Sequence, residues 1–370
     1  MKPRLFVISL LLIVSLVFPG TVLAARGGPD SSEFGTGARI YPSGPAAIEA
    51  LQQAVSLKLD WIVIDLDWAA RWPDSTQQPN LADLDQIMAA AAQYKLAVMF
   101  SLRNAPAWAL TPDGPSPDQT AWFIANLARR YSQSLQAVEL YPGANTSAGW
   151  GATPNAAAYV RLVQAARTAL QETGLPVFIV AGGLTPVAAS DGQVDDITFL
   201  SDLYANGLRD TAAVLSLAFA DVTGSPLVNP TPTEHRVLRH YEEIRQVMLD
   251  NGHADGLLWI TSLNPPSGRI APTDNAFAAD PAAQAQWLAQ SYGQASSQLY
   301  IGMAAFNSLN APLSSKDSPF GIILVQSNEN QHPFYAMLKT FTAKNGQLPS
   351  LSAQYNRPQS KAIYKNRSSS

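Results

Sequence analysis

An α/β fold, a closed (β/α)₈ barrel, is predicted by three observations on this sequence. Eight short apolar runs alternate with segments of helical periodicity along one domain-sized stretch of chain. The runs are apolar almost throughout rather than at every second position, as strands of a parallel sheet covered on both faces are. No glycine-rich phosphate or dinucleotide loop follows any of them, which weighs against an open, doubly wound sheet.

The first strand is the weakest, Ala38-Arg39-Ile40-Tyr41, and a helix is expected over 46–57. Trp61 to Trp68 is strand two and 81–94 its helix; Leu96 to Leu102 is strand three and 119–132 its helix. Ala137 to Tyr141 is strand four, followed by Tyr159, Leu162, Val163, Ala166 and Leu170 at helical spacing. Val177 to Ala181 is strand five with a helix over 197–205. Ala213 to Phe219 is strand six, and Leu238, Tyr241, Ile244 and Met248 mark its helix. Gly256 to Leu263 and Tyr300 to Phe306 complete the set, with helices over 281–296 and 333–342. The barrel unit therefore spans 38–345, after a polar leader (25–37) and before a polar tail (346–370) read as flexible.

Composition bounds the partners. The 370 residues are 47% hydrophobic and 14% charged with a net charge of −4, so a large core is affordable and no basic patch points to nucleic acid. Cysteine is absent, which excludes disulfides and Cys-ligated metal. At the N-terminus Lys2 and Arg4 precede the apolar run Leu5 to Phe18, then Pro19-Gly20 and the small-residue site Val22-Leu23-Ala24. That is the order of a secretory signal peptide, with cleavage expected after Ala24. The run is shorter than the roughly 20 apolar residues that span a bilayer. A secreted, extracytoplasmic protein with no membrane attachment after cleavage is the expectation.

In such a barrel ligands sit at the C-terminal ends of the strands. There the sequence resembles the retaining TIM-barrel glycoside hydrolases, the clan of cellulases, β-xylosidases and α-L-iduronidase-like enzymes. Val138-Glu-Leu-Tyr-Pro-Gly-Ala-Asn145, then Trp150-Gly and Pro154 to Tyr159, is similar to that family's fourth strand and the segment after it; Leu258-Trp-Ile-Thr-Ser262 is similar to its seventh. Asp65-Leu-Asp-Trp68, Ala105-Pro-Ala-Trp108, Ala128 to Tyr131, Ala181 to Leu184 and Asp196 to Gly207 are weaker echoes in the same order, so that the resemblance runs from about Ile40 to Phe341. It implies two catalytic glutamates, and the positions that align with them are Gly143 (acid/base) and Ser262 (nucleophile). The sixth strand, which in the family ends His-Pro-Tyr, reads Ala218-Phe219-Ala220.

Retaining hydrolysis needs two carboxyl groups about 5–5.5 Å apart. Gly143 offers none, and the Ser262 hydroxyl needs a neighbouring base to become a nucleophile. The four histidines (His235, His240, His253, His332) fall on or beside outer helices, so neither a Ser/His pair nor a metal site is expected. Glu139 shares the parity of Gly143 but lies four residues deeper, on the order of 13 Å at ~3.3 Å per residue, and reads as a structural interior glutamate. Asp65 and Asp67 share one inward face, where Arg103 can pair with either. The remaining rim carboxylates are Asp221 and, further on, Glu329.

Trp68, Trp72, Trp108, Tyr141 and Trp150 all fall at or just past strand ends. Such rings either stack on sugar faces or cap the barrel core; both readings stand. Trp61, Trp259 and Trp287 read as packing residues. Asn145 and Asn307 complete the candidate substrate contacts Trp68, Trp108, Tyr141, Trp150 and Asp221, while Asn310 reads equally as turn chemistry. Three functions follow: a pseudo-glycosidase that binds an oligo- or polysaccharide without cofactor, an active O-glycosyl hydrolase using Asp221 or Glu329, or an interaction protein that no longer recognises sugar.

Overall fold

The computed structural model describes residues 34–42, 47–219, 222–231, 234–265, 281–310 and 333–343. The signal sequence, the polar tail, Asp221 and Glu329 lie outside them. Eight strands close a wholly parallel barrel in sequence order: β1 (Gly35–Ile40), β2 (Trp61–Asp67), β3 (Ala97–Arg103), β4 (Leu135–Leu140), β5 (Phe178–Leu184), β6 (Val214–Phe219), β7 (Leu257–Leu263) and β8 (Ile301–Phe306). Closure comes from β1, which pairs with β2 on one side and with β8 on the other, Gly37 opposite both Trp61 and Ala305. The fold is the predicted (β/α)₈ TIM barrel.

Among the described residues eight helices of ten residues or more alternate with the strands: α1 (Ala47–Ser56), α2 (Ala82–Gln93), α3 (Pro117–Arg130), α4 (Ala156–Thr173), α5 (Asp196–Ala205), α6 (Tyr241–Asp250), α7 (Pro281–Ser296) and α8 (Pro333–Ala343). Their ends are written locally. Ser116 caps α3, with Pro117 at its first position, Asp118 in the first turn and Arg129 and Arg130 in the last, the charge order that the helix dipole favours. Asn155 caps α4, which stops at Gly174 in the left-handed conformation. No described helix is long and apolar enough to cross a membrane.

β1 begins at Gly35, three residues before the expected start. Its glycines are there for space. A Cβ on Gly35 would stand 3.0 Å from the Trp61 ring, and one on Gly37 would stand 3.1 Å from Ala305 Cβ.

The barrel interior is layered. At the N-terminal end Trp61, Trp259 and Phe178 form a plug, with Trp61 and Trp259 ring centroids 4.9 Å apart. Val63, Met99, Ala137, Val180 and Met303 lie in the same apolar cluster. Two residues further along β1, β2, β3, β4 and β7 the inward positions turn polar: Arg39, Asp65, Ser101, Glu139 and Thr261. Alternation at period two carries this change from apolar floor to charged layer.

Candidate functional site at the barrel mouth

Glu139 sits at the centre of the charged layer, fully buried. The Ser101 hydroxyl donates to its Oε2 at 2.6 Å, and the Thr261 hydroxyl, from β7, donates to its Oε1 at 2.6 Å. Arg39 lies 3.9 Å from the same carboxylate, donates to Asp65 and also donates to the Thr261 carbonyl at 2.9 Å. Arg103 donates to Asp65 from the other side at 2.5 Å. Burial alone would lower the Arg39 pKa, but Asp65 and Glu139 more than offset it and hold the guanidinium charged. A structural Glu139 and an Asp65–Arg103 pair match the sequence expectation; Arg39, the hub of the layer, was not singled out from the sequence.

Above this layer opens a cleft of about 1020 Å³ lined by residues from β1, β2, β3, β6, β7 and the loops after β4, β5 and β8. Among the described residues three arginines (Arg39, Arg71, Arg103) and three aspartates (Asp65, Asp67, Asp83) line it, so the fixed charges of that lining balance. Each aspartate is engaged. Asp65 takes both guanidinium groups, though its Oδ2 has no protein partner. Asp67 accepts from the Ala70 amide at 2.8 Å, capping a one-turn helix, and from Asn104 at 2.7 Å. Asp83 is gripped by both terminal nitrogens of Arg71 at 2.6 and 3.0 Å. That grip holds Asp83 below the ordinary carboxylate range, which suits an anion and disfavours a proton donor.

Gly143 and Ser262 both line the cleft, as do Ala218 and Asn307. β4 ends at Leu140, so Gly143 lies in a turn rather than on a strand and its orientation follows no strand parity. Its φ is +83°, and a Cβ there would stand 3.2 Å from the Thr185 hydroxyl. Thr146 closes the turn, donating its hydroxyl to the Gly143 carbonyl at 2.9 Å. Ser262 is opposite Ala218 just past a register shift between β6 and β7. Asn307 accepts from the Tyr41 hydroxyl at 2.9 Å. Asn310 binds the backbone of Tyr41 through both ends of its amide at 3.0 Å, a long-range tie between the ends of β8 and β1 rather than the local turn chemistry expected of it.

Trp68, Tyr141, Asn145 and Trp150 are not at the cleft surface, and Asp221 lies outside the described residues. Trp68 is 0% exposed and Trp150 1%, and Tyr141 and Asn145 are fully buried. Asn145 spends its amide on the loop after β5: it donates to the carbonyls of Thr185 at 2.9 Å and Val194 at 3.1 Å and accepts from the Thr185 amide. The Tyr141 hydroxyl meets Thr120 at 3.0 Å, and its pKa is pushed far up by burial. The Trp150 indole donates to the Asp113 carbonyl at 2.8 Å. The physical reason is coverage. The hairpin Leu110–Thr111/Gly114–Pro115 and helix α3 lie over these rings, and sequence spacing does not report what a loop covers. Trp108 and Trp72 are half-buried beside Trp68, with Trp72 and Trp108 centroids 5.0 Å apart, and Trp122 on α3 extends the cluster outward.

His240 sits beside an outer helix as expected, at the start of α6. His235 and His240 converge on Asp196, whereas His253 stands apart, hydrogen-bonded to Tyr204 at 2.8 Å. His332 lies outside the described residues.

No protein-family profile and no curated protein matches the chain. Solved structures do match. A family 39 glycoside hydrolase from Bacteroides cellulosilyticus WH2 superimposes with a TM-score of 0.59 at 15% identity, over 88% of this chain and 65% of the other. An endo-β-1,4-glucanase from Xanthomonas axonopodis pv. citri gives 0.55 at 11%, covering 84% and 99%. A family 30 subfamily 8 xylanase from Clostridium acetobutylicum gives 0.55 at 11%, covering 84% and 71%. The chain has a glycoside-hydrolase-like barrel. It spans about two thirds of the length of the family 39 enzyme, and at these identities the likeness is one of fold.

Proposed function

We propose that this glycoside-hydrolase-like barrel is an exported, non-hydrolytic protein that holds a neutral oligo- or polysaccharide in its mouth. One observation carries the reading: Gly143 and Ser262, which align with the two glutamates of the retaining clan, line the same open cleft, and every described carboxylate in that cleft is committed to an arginine or a helix cap. Retaining chemistry needs a free pair of carboxyl groups. Balanced charge in the described lining favours an uncharged, hydroxyl-rich ligand over an anionic one, and Arg103, Asn104 and Asn307 supply donors and acceptors for it. Sugar contact at Trp68, Tyr141, Asn145 or Trp150 would need the covering loops to move. Those buried rings are what favours the second reading, an interaction protein without sugar recognition.

Two measurements separate the readings. Purified protein is incubated with a panel of aryl α- and β-glycosides, and neutral oligosaccharides are titrated calorimetrically against wild type and Asn104→Ala. Binding without turnover, weakened in Asn104→Ala, supports the proposal. Turnover abolished by Asp221→Asn or Glu329→Gln overturns it in favour of an active hydrolase, and absence of both binding and turnover leaves the interaction protein. Export is checked by N-terminal sequencing of the protein recovered outside the cytoplasm, with Ala25 expected first.

A further inference from the structure

Asp196 is the first residue of α5, and His235 and His240 lie in the connection between β6 and α6, some forty residues away in sequence. All three are buried, and one donor atom from each lies within 4.8 Å of the others. His235 Nδ1 is 2.8 Å from Asp196 Oδ1, and His240 Nε2 is 2.6 Å from Asp196 Oδ2.

The far nitrogen of each ring also faces a carboxylate. His240 Nδ1 is 2.8 Å from Glu243 Oε2, and His235 Nε2 is 3.5 Å from Asp195 Oδ2. A neutral imidazole has one N–H, so His240 cannot donate to both Asp196 and Glu243; one contact sets a lone pair against an anion. Only Asp196 and the two rings are buried, while Asp195 and Glu243 are each about a quarter exposed, so the pocket between the two rings and Asp196 is where an added cation would sit.

We propose that Asp196, His235 and His240 bind a zinc ion that staples the β6–α6 connection to the start of α5. The ring nitrogens now facing Asp196 become ligands, and each far N–H is left facing a carboxylate, Glu243 for His240 and Asp195 for His235. This is the carboxylate–imidazole–metal arrangement that fixes tautomer and ring orientation in metal sites, and it removes the proton conflict at His240. Two imidazoles and a carboxylate suit zinc and exclude magnesium and calcium, which take oxygen ligands. Ligands ~2.0–2.1 Å from a tetrahedral zinc stand roughly 3.3 Å apart, so Asp196 retracts by about half an ångström on binding. A fourth position is left to water. None of the three ligands lines the mouth cleft, so the site acts on the fold and is independent of sugar binding.

The test uses the full mature chain, stripped with EDTA and then given Zn²⁺ or Co²⁺ alone. We expect one zinc per chain after desalting, a tetrahedral-type visible spectrum with Co²⁺, and a higher melting temperature with Zn²⁺. Asp196→Asn risks misfolding, so His235→Gln and His240→Gln are the primary variants; each should lose the stoichiometric zinc while keeping the wild-type near-UV circular dichroism. Glu243→Gln should retain zinc with about 10–100-fold weaker affinity. A wild-type chain that keeps no zinc, or histidine variants that keep as much as wild type, overturns the proposal.

Discussion

Trp68 lies flat on Phe123, with ring centroids 4.6 Å apart and planes within 5°, so the residue ending β2's segment is stacked on the inner face of α3. Trp108 meets the same indole edge-on at 5.4 Å. Trp68 thereby belongs to the packing between strand ends and helix. Trp68→Ala should cost about 3–5 kcal/mol in urea denaturation, the range for deleting a fully buried large aromatic. Trp122, 52% exposed on the same helix, should cost under about 0.5 kcal/mol when changed to Ala.

The charged layer predicts a second asymmetry. Arg39 serves Asp65, Glu139 and the Thr261 carbonyl from one guanidinium. Replacing it by Leu leaves the buried Glu139 without a cation and Asp65 with Arg103 alone, and a loss of about 3–5 kcal/mol is expected. Ser262→Ala removes a hydroxyl at the cleft wall and should change stability by less than about 0.5 kcal/mol. Equilibrium unfolding of the two variants side by side decides whether the layer or the vacated position carries the structure.

Placing glutamates at Gly143 and Ser262, the positions that the resemblance aligns with the clan's catalytic pair, should fail. Gly143 has a left-handed backbone and Thr185 within 3.2 Å of a built Cβ, so Gly143→Ala alone should destabilise by roughly 1–2 kcal/mol. Gly143→Glu with Ser262→Glu should therefore hydrolyse no aryl glycoside, since the new carboxyl cannot leave from a strand-like backbone. Measurable turnover by the double variant would show that the turn refolds around the substitution.

A pH dependence follows from His253. Burial lowers its pKa, Asp255 opposes the fall, and Arg209 and Arg245 add to it. A histidine depressed in the folded state contributes stability that is present above its ordinary pKa and is lost as pH falls through the folded value. Unfolding midpoints of metal-free wild type and His253→Gln, compared at pH 7.5 and at pH 5, should differ more at pH 7.5. A gap that widens on acidification contradicts this sign.

Strands were legible because burial on both faces leaves near-continuous apolar runs, and six of the eight are found within a residue or two of where hydropathy places them, β5 running three residues past Ala181 to Leu184. β1 was short by three residues because Gly35 and Gly37, needed for clearance from Trp61 and Ala305, look like leader sequence. That Gly143 and Ser262 lie at the barrel mouth was legible from their neighbours in the strand-end segments. The burial of Trp150 was not legible, since it depends on a hairpin thirty-five residues earlier. The Asp196–His235–His240 cluster was missed for the same kind of reason: its members belong to different βα units, and outer-helix placement conceals that the units are adjacent around the ring.

That hairpin has one more effect. Trp150, after β4, donates to the Asp113 carbonyl, and Gly114 is bare because a Cβ there would overlap the indole at 2.3 Å. The two lips on this side of the opening are thus pinned by a single rivet. They should swing together or stay shut together, so a substitution at Gly114 would be felt by whatever enters from the far side of Gly143.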